Sequence, residues 1–469
     1  MFTPESYTIA SSLLARLLGF IYFFAFGAFL FQIKGLIGSN GILPVSRYLY
    51  NMQIYLKNRR RLVLFPTLFW FKSTDTALMF IVSLGTILSV FLFLGFIPFI
   101  ILPLLYILYL SIHTVGQDFL SFGWEGFLLE ITANAFLLSL TTVPNAMVWV
   151  SINFLLFRFH FHAGLVKFQS RDPNWRNYCA LSYHYQTQPI PSTLAWYMHR
   201  LPLWFHKLSC VIMFAIELVI PFGIFLGDDL RFLTFVAFFG LQFFIWFSGN
   251  YSYLNYLTVV LSVILISNGI YEMIGIHPPS TKETPVALDV AITLCGAILF
   301  AFQFVRFWHQ CFPRPQFETI LRTIAPYYLA NRYGIFAVMT TKRYEIVVEG
   351  SEDGVTWKEY TFKYKPSEVT RRPRRIAPYQ PRLDWQAWFL PFSTYGEEPW
   401  FQSFLYHILK GTPEVLYLLR GNPFPDHPPT FVRAVIYDYI FSSSEEKKSK
   451  GWWWHRTFVG HYSPTLKLK

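Results

Sequence analysis

Residues 343–388 read RYEIVVEGSEDGVTWKEYTFKYKPSEVTRRPRRIAPYQPRLDWQAW. This polar stretch follows an N-terminal portion, residues 1–310, that is mostly apolar. Tyr344, Ile346 and Val348 alternate with Glu345 and Glu349, the period-2 pattern of a strand. Ser351-Glu352-Asp353-Gly354 supplies turn chemistry, with Gly354 free to take positive φ. Val355 to Tyr364 then reads as a returning strand that carries Trp357, Tyr360, Phe362 and Tyr364. An isolated hairpin is marginal in water and needs further strands or a packed partner. The expectation is therefore a β-rich, sandwich-like extramembrane domain over residues 340–469. Arg371-Arg372-Pro373-Arg374-Arg375 is extended rather than helical, because a residue before proline avoids the helical region. Residues 384–389 form an aromatic amphipathic segment, suited to packing on that domain or lying at a membrane interface. SSSEEKKSK, residues 442–450, reads as polar and mobile.

Working outward, the 469 residues are 54% hydrophobic, 20% aromatic and 14% charged. Soluble domains carry about 25% charged residues. Apolar runs recur from Ser12 to Trp308, each near the ~20 residues that a hydrocarbon core requires. They centre near 12–33, 76–95, 97–113, 124–141, 146–166, 205–226, 231–248, 253–274 and 287–308. The fold class is thus a polytopic α-helical membrane protein with about nine spans. The organisation is a membrane domain over 1–310 with an aromatic loop at 168–204, a linker at 311–339, and the C-terminal domain and tail at 340–469. The first run is too long for the apolar core of a cleaved signal and reads as the first membrane helix. Gly95-Phe96-Ile97-Pro98 leaves room only for a tight helical hairpin or a re-entrant segment.

The net charge is +12. Most of its basic residues lie in loops and the tail, which suits lipid headgroups and topology control rather than a nucleic-acid groove. Two basic loops, Lys34–Lys72 and Lys167–Lys207, and the basic tail would all face the cytoplasm by the positive-inside rule. Cys179, Cys210, Cys295 and Cys311 form no C-x-x-C pair. No zinc site or disulfide framework is expected, and only Cys179–Cys311 remains as a bridge.

Ionisable groups inside spans are the functional candidates. Glu130 and Asn134 lie one turn apart on one face, with Glu125 nearer the helix end. Arg158, His160, His162 and Lys167 lie on the next run, and Glu217 lies on the sixth. Together they make a candidate intramembrane polar centre, either a site or an ion-pair network that holds the bundle. His160 and His162 point to different helix faces, so no metal site is read from them. Phosphate loops, nucleophile elbows and dinucleotide fingerprints are lacking. No catalytic residue and no cofactor is assigned. The loop WRNYCALSYHYQTQPIPSTLAWYMHRLP, residues 175–202, is too long and aromatic for a passive linker. Its Tyr183, His184, Tyr185 and Gln188 are candidate client-recognition residues. From the tail come Trp357, Arg371, Arg372, Gln380, Arg382, Asp384 and Trp385.

Several segments in order carry a resemblance: FQIKGLIGSNGILP (31–44), FLSFGWEGFLLE (119–130), the 175–202 loop, SGNYSYLNYLT (248–258), EIVVEGSEDGVTWKEYTFKYKP (345–366), RRPRRIAPYQPRLDWQAWF (371–389) and GNPFPDHPPTFVRAVIYDY (421–439). Through them the chain resembles the lipase maturation factor family. The resemblance implies a multi-pass protein of the endoplasmic-reticulum membrane, or of the inner membrane in a bacterium. It implies a chaperone-like role in the folding and dimer assembly of secreted lipases such as lipoprotein lipase. The implied partners are the lipid bilayer and a secreted lipase or other exported client, with no nucleic acid; self-association is left open. The family's tail is lumenal, which we prefer over the charge rule because large domains translocate despite their charge. The family has no established catalytic residues. The membrane half is also distantly similar to the transmembrane domain of vitamin K-dependent carboxylases, through FHAGLVKF (161–168) followed by Trp175. That keeps open the alternative of a membrane-embedded enzyme, acting on a lipid-soluble or quinone-like substrate at a polar centre in spans four to six.

Overall fold

The apolar runs become helices of two kinds, those that face lipid and those that the others bury. A computed structural model describes residues 3–56 and 60–468. In chain order, α1 is Pro4–Leu30, α2 Asp75–Leu94, α3 Pro98–Val115, α4 Gly123–Leu138, α5 Ala146–Gln169, α6 Leu203–Phe225, α7 Asp228–Ser248, α8 Leu254–Leu265 and α9 Val286–Cys311. Among the described residues, six of these (α1, α2, α3, α6, α7 and α9) are long and apolar enough to cross a membrane. The chain is a multi-pass membrane protein with six candidate spans by length and composition, so the expected count of about nine is not confirmed.

The difference between the two counts has a physical cause. The sixteen residues of α4 rise only about 24 Å at 1.5 Å each, short of a ~30 Å hydrocarbon core. Helix α8 is a short apolar helix. Helix α5 has 24 residues, but Arg158, His160, His162 and Lys167 punctuate it. Most of α4 and α5 is buried, on several faces. A helix apolar all round is a core helix as readily as a span, and hydropathy alone does not separate the two.

Between α2 and α3 the chain makes the tight hairpin. Gly95 takes φ +90, its N–H bonds the Leu92 carbonyl, and that of Phe96 bonds Phe91. This is the left-handed C-terminal cap that favours glycine. Helix α6 changes pitch twice: α-helical to Phe214, a π turn over Ala215–Val219, then a 3-10 stretch over Ile220–Phe225. From the π turn onward it packs on α7, more closely than its Leu203–Phe214 half does.

The expected hairpin is present as β1, Tyr344–Ser351, and β2, Lys358–Phe362. The second strand starts later than expected because Asp353 holds the Val355 and Thr356 amides in the turn. With β3 (Leu419–Gly421), β4 (Phe431–Phe441) and β5 (Trp454–His461), they form one antiparallel sheet in the order β3-β2-β1-β4-β5. The sandwich-like expectation is corrected accordingly. Helices supply the second layer: Trp400, Phe401, Phe404 and Leu405 of Pro399–Leu409 share a core with Ile346, Val348 and Phe362. Tyr439, Phe441 and Trp454 on β4 and β5 pack on Tyr185, Ala195 and Trp196 of the aromatic loop. Residues 384–387 pack inward as well, since Arg382–Ala387 is a helix with all six residues buried, whereas Phe389 is exposed. Ser444–Lys450 is a helix rather than a mobile stretch, closed by a Ser443/Glu446 capping box.

The tail and the membrane half share one hydrophobic core. Phe119 meets Trp400 at 5.7 Å and Trp124 meets Trp385 at 5.1 Å between ring centroids. These are ordinary aromatic packing distances.

Candidate functional site

Helix α4 carries two buried glutamates, five residues apart, that face different partners. Both are fully buried. Glu125 is paired with Arg382 of the tail at 2.7 Å. Tyr253 donates to it at 2.6 Å, Tyr109 donates as well, and the two tyrosines lie 2.7 Å from each other. Arg382 also donates to the Phe119 carbonyl at 2.9 Å and lies over the Phe29 ring. The cation of the tail thus ends inside the membrane half.

Glu130 pairs with Arg158 of α5, itself fully buried. The Asn331 backbone and side-chain N–H groups donate to Glu130 at 2.8 Å each, and Tyr333 donates at 2.6 Å. Arg158 donates in turn to the Asn331 carbonyl at 2.6 Å. Asn134 donates to the Glu130 carbonyl and accepts from Ser151. The Glu130 carboxylate is thus well hydrogen-bonded, as a buried ion pair needs, while the Arg158 Nε has no hydrogen-bond partner among the described residues. Asn331 and Tyr333 come from the segment expected to be a linker, and sequence reasoning missed them, as it missed Tyr109 and Tyr253. Their one signal was polar hydrogen-bonding capacity beside apolar runs.

Lys167 and Glu217 form a third pair. The Lys167 ammonium donates to both Glu217 oxygens, at 2.9 and 2.7 Å, and to the Ala163 carbonyl at 2.9 Å. Glu217 lies on the π turn of α6. His160 stacks on Phe238 at 3.6 Å, with its Nδ1 3.1 Å from the Leu156 carbonyl. His162 stacks on Phe307, and its Nε2 lies 3.8 Å from the Cys311 sulfur. All four cysteines are free. The candidate polar centre therefore divides into three pairs and two stacked imidazoles. Among the described residues no group of three or more histidine, cysteine or acidic side chains is placed to hold a metal ion.

Lys167, Glu217 and His160 border a chamber of about 580 Å³ between α5, α6, α7 and the aromatic loop. Its walls are mainly apolar, and Trp175, Tyr185, Phe336 and Tyr251 contribute to them. His184 lies on the same wall, with its Nε2 3.0 Å from the Tyr251 hydroxyl. Burial, then the nearby Lys167, pushes the His184 pKa down to about 4, so it is neutral at pH 7.

The other candidate recognition residues fall into two groups. Tyr185, Gln188, Gln380, Arg382, Asp384 and Trp385 are buried. Gln188 bonds the Ser248 carbonyl at 3.0 Å. Gln380 accepts from Trp124 at 3.1 Å and Ser252 at 3.2 Å, and its carbonyl accepts from Gln32. Asp384 accepts the Tyr364 and Lys365 amides at 2.6 and 2.8 Å; burial pushes its carboxyl up and those amides pull it back. Arg371, partly buried, donates to the Phe362 and Lys363 carbonyls. Tyr183 and Arg372 reach the surface, and Trp357 is half-buried beneath Arg433.

The comparisons with known proteins cover the same two halves. A family model described as the lipase maturation factor transmembrane domain matches residues 9–273. One described as the lipase maturation factor C-terminal domain matches residues 329–464. Lipase maturation factor 1 of Mus musculus is 32% identical, over 97% of this chain and 87% of its own length. For lipase maturation factor 2 of Xenopus laevis the figures are 30%, 90% and 77%. For lipase maturation factor 1 of Homo sapiens they are 30%, 97% and 87%. No solved structure matches. Nothing in these matches favours the enzymatic alternative. Matched in order across its membrane helices and its C-terminal sheet, the chain belongs to the lipase maturation factor family.

Proposed function

We propose that this protein is a membrane-anchored maturation factor that assists folding and assembly of a secreted lipase, working in the endoplasmic-reticulum membrane of a eukaryotic cell or the inner membrane of a bacterial one. The observation that carries the reading is the pair of family matches, residues 9–273 and 329–464, supported by relatives named for lipase maturation along most of the chain. In this reading residues 1–310 anchor and orient the sheet-bearing tail over 340–469, with 311–339 between them. The client meets Tyr183 and Arg372, which reach the surface, and the half-buried Trp357. The buried candidates Tyr185, Gln188, Gln380, Arg382, Asp384 and Trp385 hold the presenting surface in place. Large aromatic and arginine side chains suit such contacts, because they dominate binding energy at interfaces.

The test is co-expression of the intact chain with a secreted lipase. Lipase specific activity and co-purification should both rise with the wild-type chain. The triple variant Tyr183→Ala, Trp357→Ala, Arg372→Ala should lower co-purification about tenfold, as the loss of ~1.4 kcal/mol would. Unchanged lipase activity and no co-purification with the wild-type chain would overturn the function. Full retention by the triple variant would overturn the surface alone.

A further inference from the structure

Exposed apolar side chains on the spans face lipid. A second exposed apolar surface lies outside the spans, on the chain between α1 and α2. Helix Val45–Leu56 buries Val45 and Leu49 against the protein, and a short helix follows at Arg61–Leu64. Ile54, Tyr55, Leu62, Val63, Leu64 and Phe71 of this stretch are between 46% and 80% exposed. Large apolar side chains left bare so close together in the chain mark a membrane or protein contact.

Hydrogen bonds to α3 set their height relative to the bilayer. The Thr67 hydroxyl donates to the Ser111 carbonyl at 3.0 Å, the Leu68 N–H to the Ser111 hydroxyl at 3.1 Å, and the Thr114 hydroxyl to the Pro66 carbonyl at 3.1 Å. Thr67 and Ser111 are both buried. Candidate span α3 ends at Val115, about one turn past Ser111, so residues 66–68 sit where α3 leaves the hydrocarbon. Candidate span α2 starts at Asp75, just after Phe71. Tyr48, Phe65 and Trp70 pack edge to face in series, at 5.5 and 6.0 Å between ring centroids, and tie both helices to that anchor.

Charge then names the partner. The sequence from 6 to 74 contains no acid. Arg60 and Lys72 are exposed, and Arg61 lies over the Trp70 ring. None of the three makes an ion pair among the described residues. Asp75, the first acid after them, is taken by the Ser39 N–H and hydroxyl, at 2.7 and 2.8 Å. Apolar side chains at the bilayer boundary, edged by free cations, match an anionic leaflet: acyl chains meet the first and headgroup phosphates the second. A client protein would reach the same side chains only by displacing lipid from them.

We propose that residues 45–56 and 60–72 form an in-plane interfacial anchor for anionic phospholipid, with Leu62, Val63, Leu64 and Phe71 entering the acyl boundary and Arg60, Arg61 and Lys72 on headgroup phosphates.

The full chain with a benzophenone amino acid in place of Val63 tests it, in vesicles of mixed phosphatidylcholine and phosphatidylglycerol. A second chain carries the same group in place of Ile87, which is exposed on α2, and reports the lipid around a span. Irradiation should give lipid adducts at both positions. The adduct at position 63 should be about fivefold richer in phosphatidylglycerol, the ratio that ~1 kcal/mol for a cation near an anionic surface gives. Arg60→Gln with Arg61→Gln should bring the two ratios together, as should high salt. Arg60→Gln with Lys72→Gln, both exposed, replaces that variant if it melts early. Equal headgroup ratios at the two positions in the wild-type background, or an unchanged ratio in the folded variant, overturn the anionic assignment. A chain-to-chain adduct at position 63, or none to lipid, overturns the anchor and gives this face to a second copy or a client. No lipase enters the assay, so its outcome is independent of the maturation reading.

Discussion

Glu130 and Glu217 are both buried glutamates paired with a cation on α5, and they do different things. Arg158 and Lys167 are nine residues apart, about 2.5 helical turns, so they leave α5 on opposite sides. On the Arg158 side, protein fills the space. Asn331 and Tyr333 turn back from beyond α9 to donate to the carboxylate. On the Lys167 side, the pair sits on a π turn and borders a chamber. Single-turn π segments recur at functional sites. The same sequence signal, an acid and a base in apolar helices, thus marks a structural knot in one place and the wall of an open chamber in the other.

The comparison breaks first at Glu130. Removing one partner of a buried pair strands the other charge, at a cost of about 3–5 kcal/mol. Glu130→Ala or Arg158→Ala should therefore unfold much of the protein in detergent, as read by thermal melting. The paired replacement Glu130→Leu with Arg158→Met should recover most of that loss, because it removes both charges together. A Glu130→Ala variant that melts like wild type would remove the structural reading of the knot.

A smaller effect separates the two halves of the chain. Arg382→Met leaves the Glu125 charge to the tyrosine donors alone, a loss of about 3 kcal/mol, the lower end of the same range because those donors still hold the carboxylate. Because Arg382 is a tail residue seated in the membrane half, the loss should appear as loosening between them. Trypsin should cut the exposed lysines of Ser444–Lys450 faster, while α1–α9 stay intact on a gel. Simultaneous loss of both halves would show instead that they unfold as one unit.

How much of this was legible in the sequence depends on how local each cause is. The β1–β2 hairpin was, because its alternation and Gly354 act within ten or so residues. So were the acid-and-base candidates, since ionisable groups in apolar runs are rare. Their pairing was not. Arg382 lies 257 residues from Glu125 and Asn331 lies 201 from Glu130, and nothing in either segment names its partner. The span count is not confirmed at α4, α5 and α8 for a related reason. Whether lipid or protein surrounds an apolar helix is decided by the rest of the fold. The Ser444–Lys450 helix was legible and overlooked: Ser443 followed by Glu446 spells its capping box.

The weakest expected effect tests the hairpin itself. Asp353 is fully exposed, yet its carboxyl is held well below the usual range. The Thr356 backbone N–H is the largest cause, followed by the Val355 N–H and the Ser351 hydroxyl. With a folded pKa below the unfolded ~3.9, its contribution is complete above about pH 3.9 and fades as pH falls below it toward the folded value. Amide hydrogen exchange at Val355 and Thr356 should thus be slow and steady in protection from neutral pH to about pH 4, then lose protection on further acidification. Asp353→Asn should remove that pH dependence, since the amide oxygen still accepts but carries no charge. Gly354→Ala acts through φ +77 and should weaken the turn by about 1 kcal/mol at every pH. The two variants together separate the carboxylate's contribution from the glycine's, while Glu125 and Glu130, set in the buried core, should not respond to either.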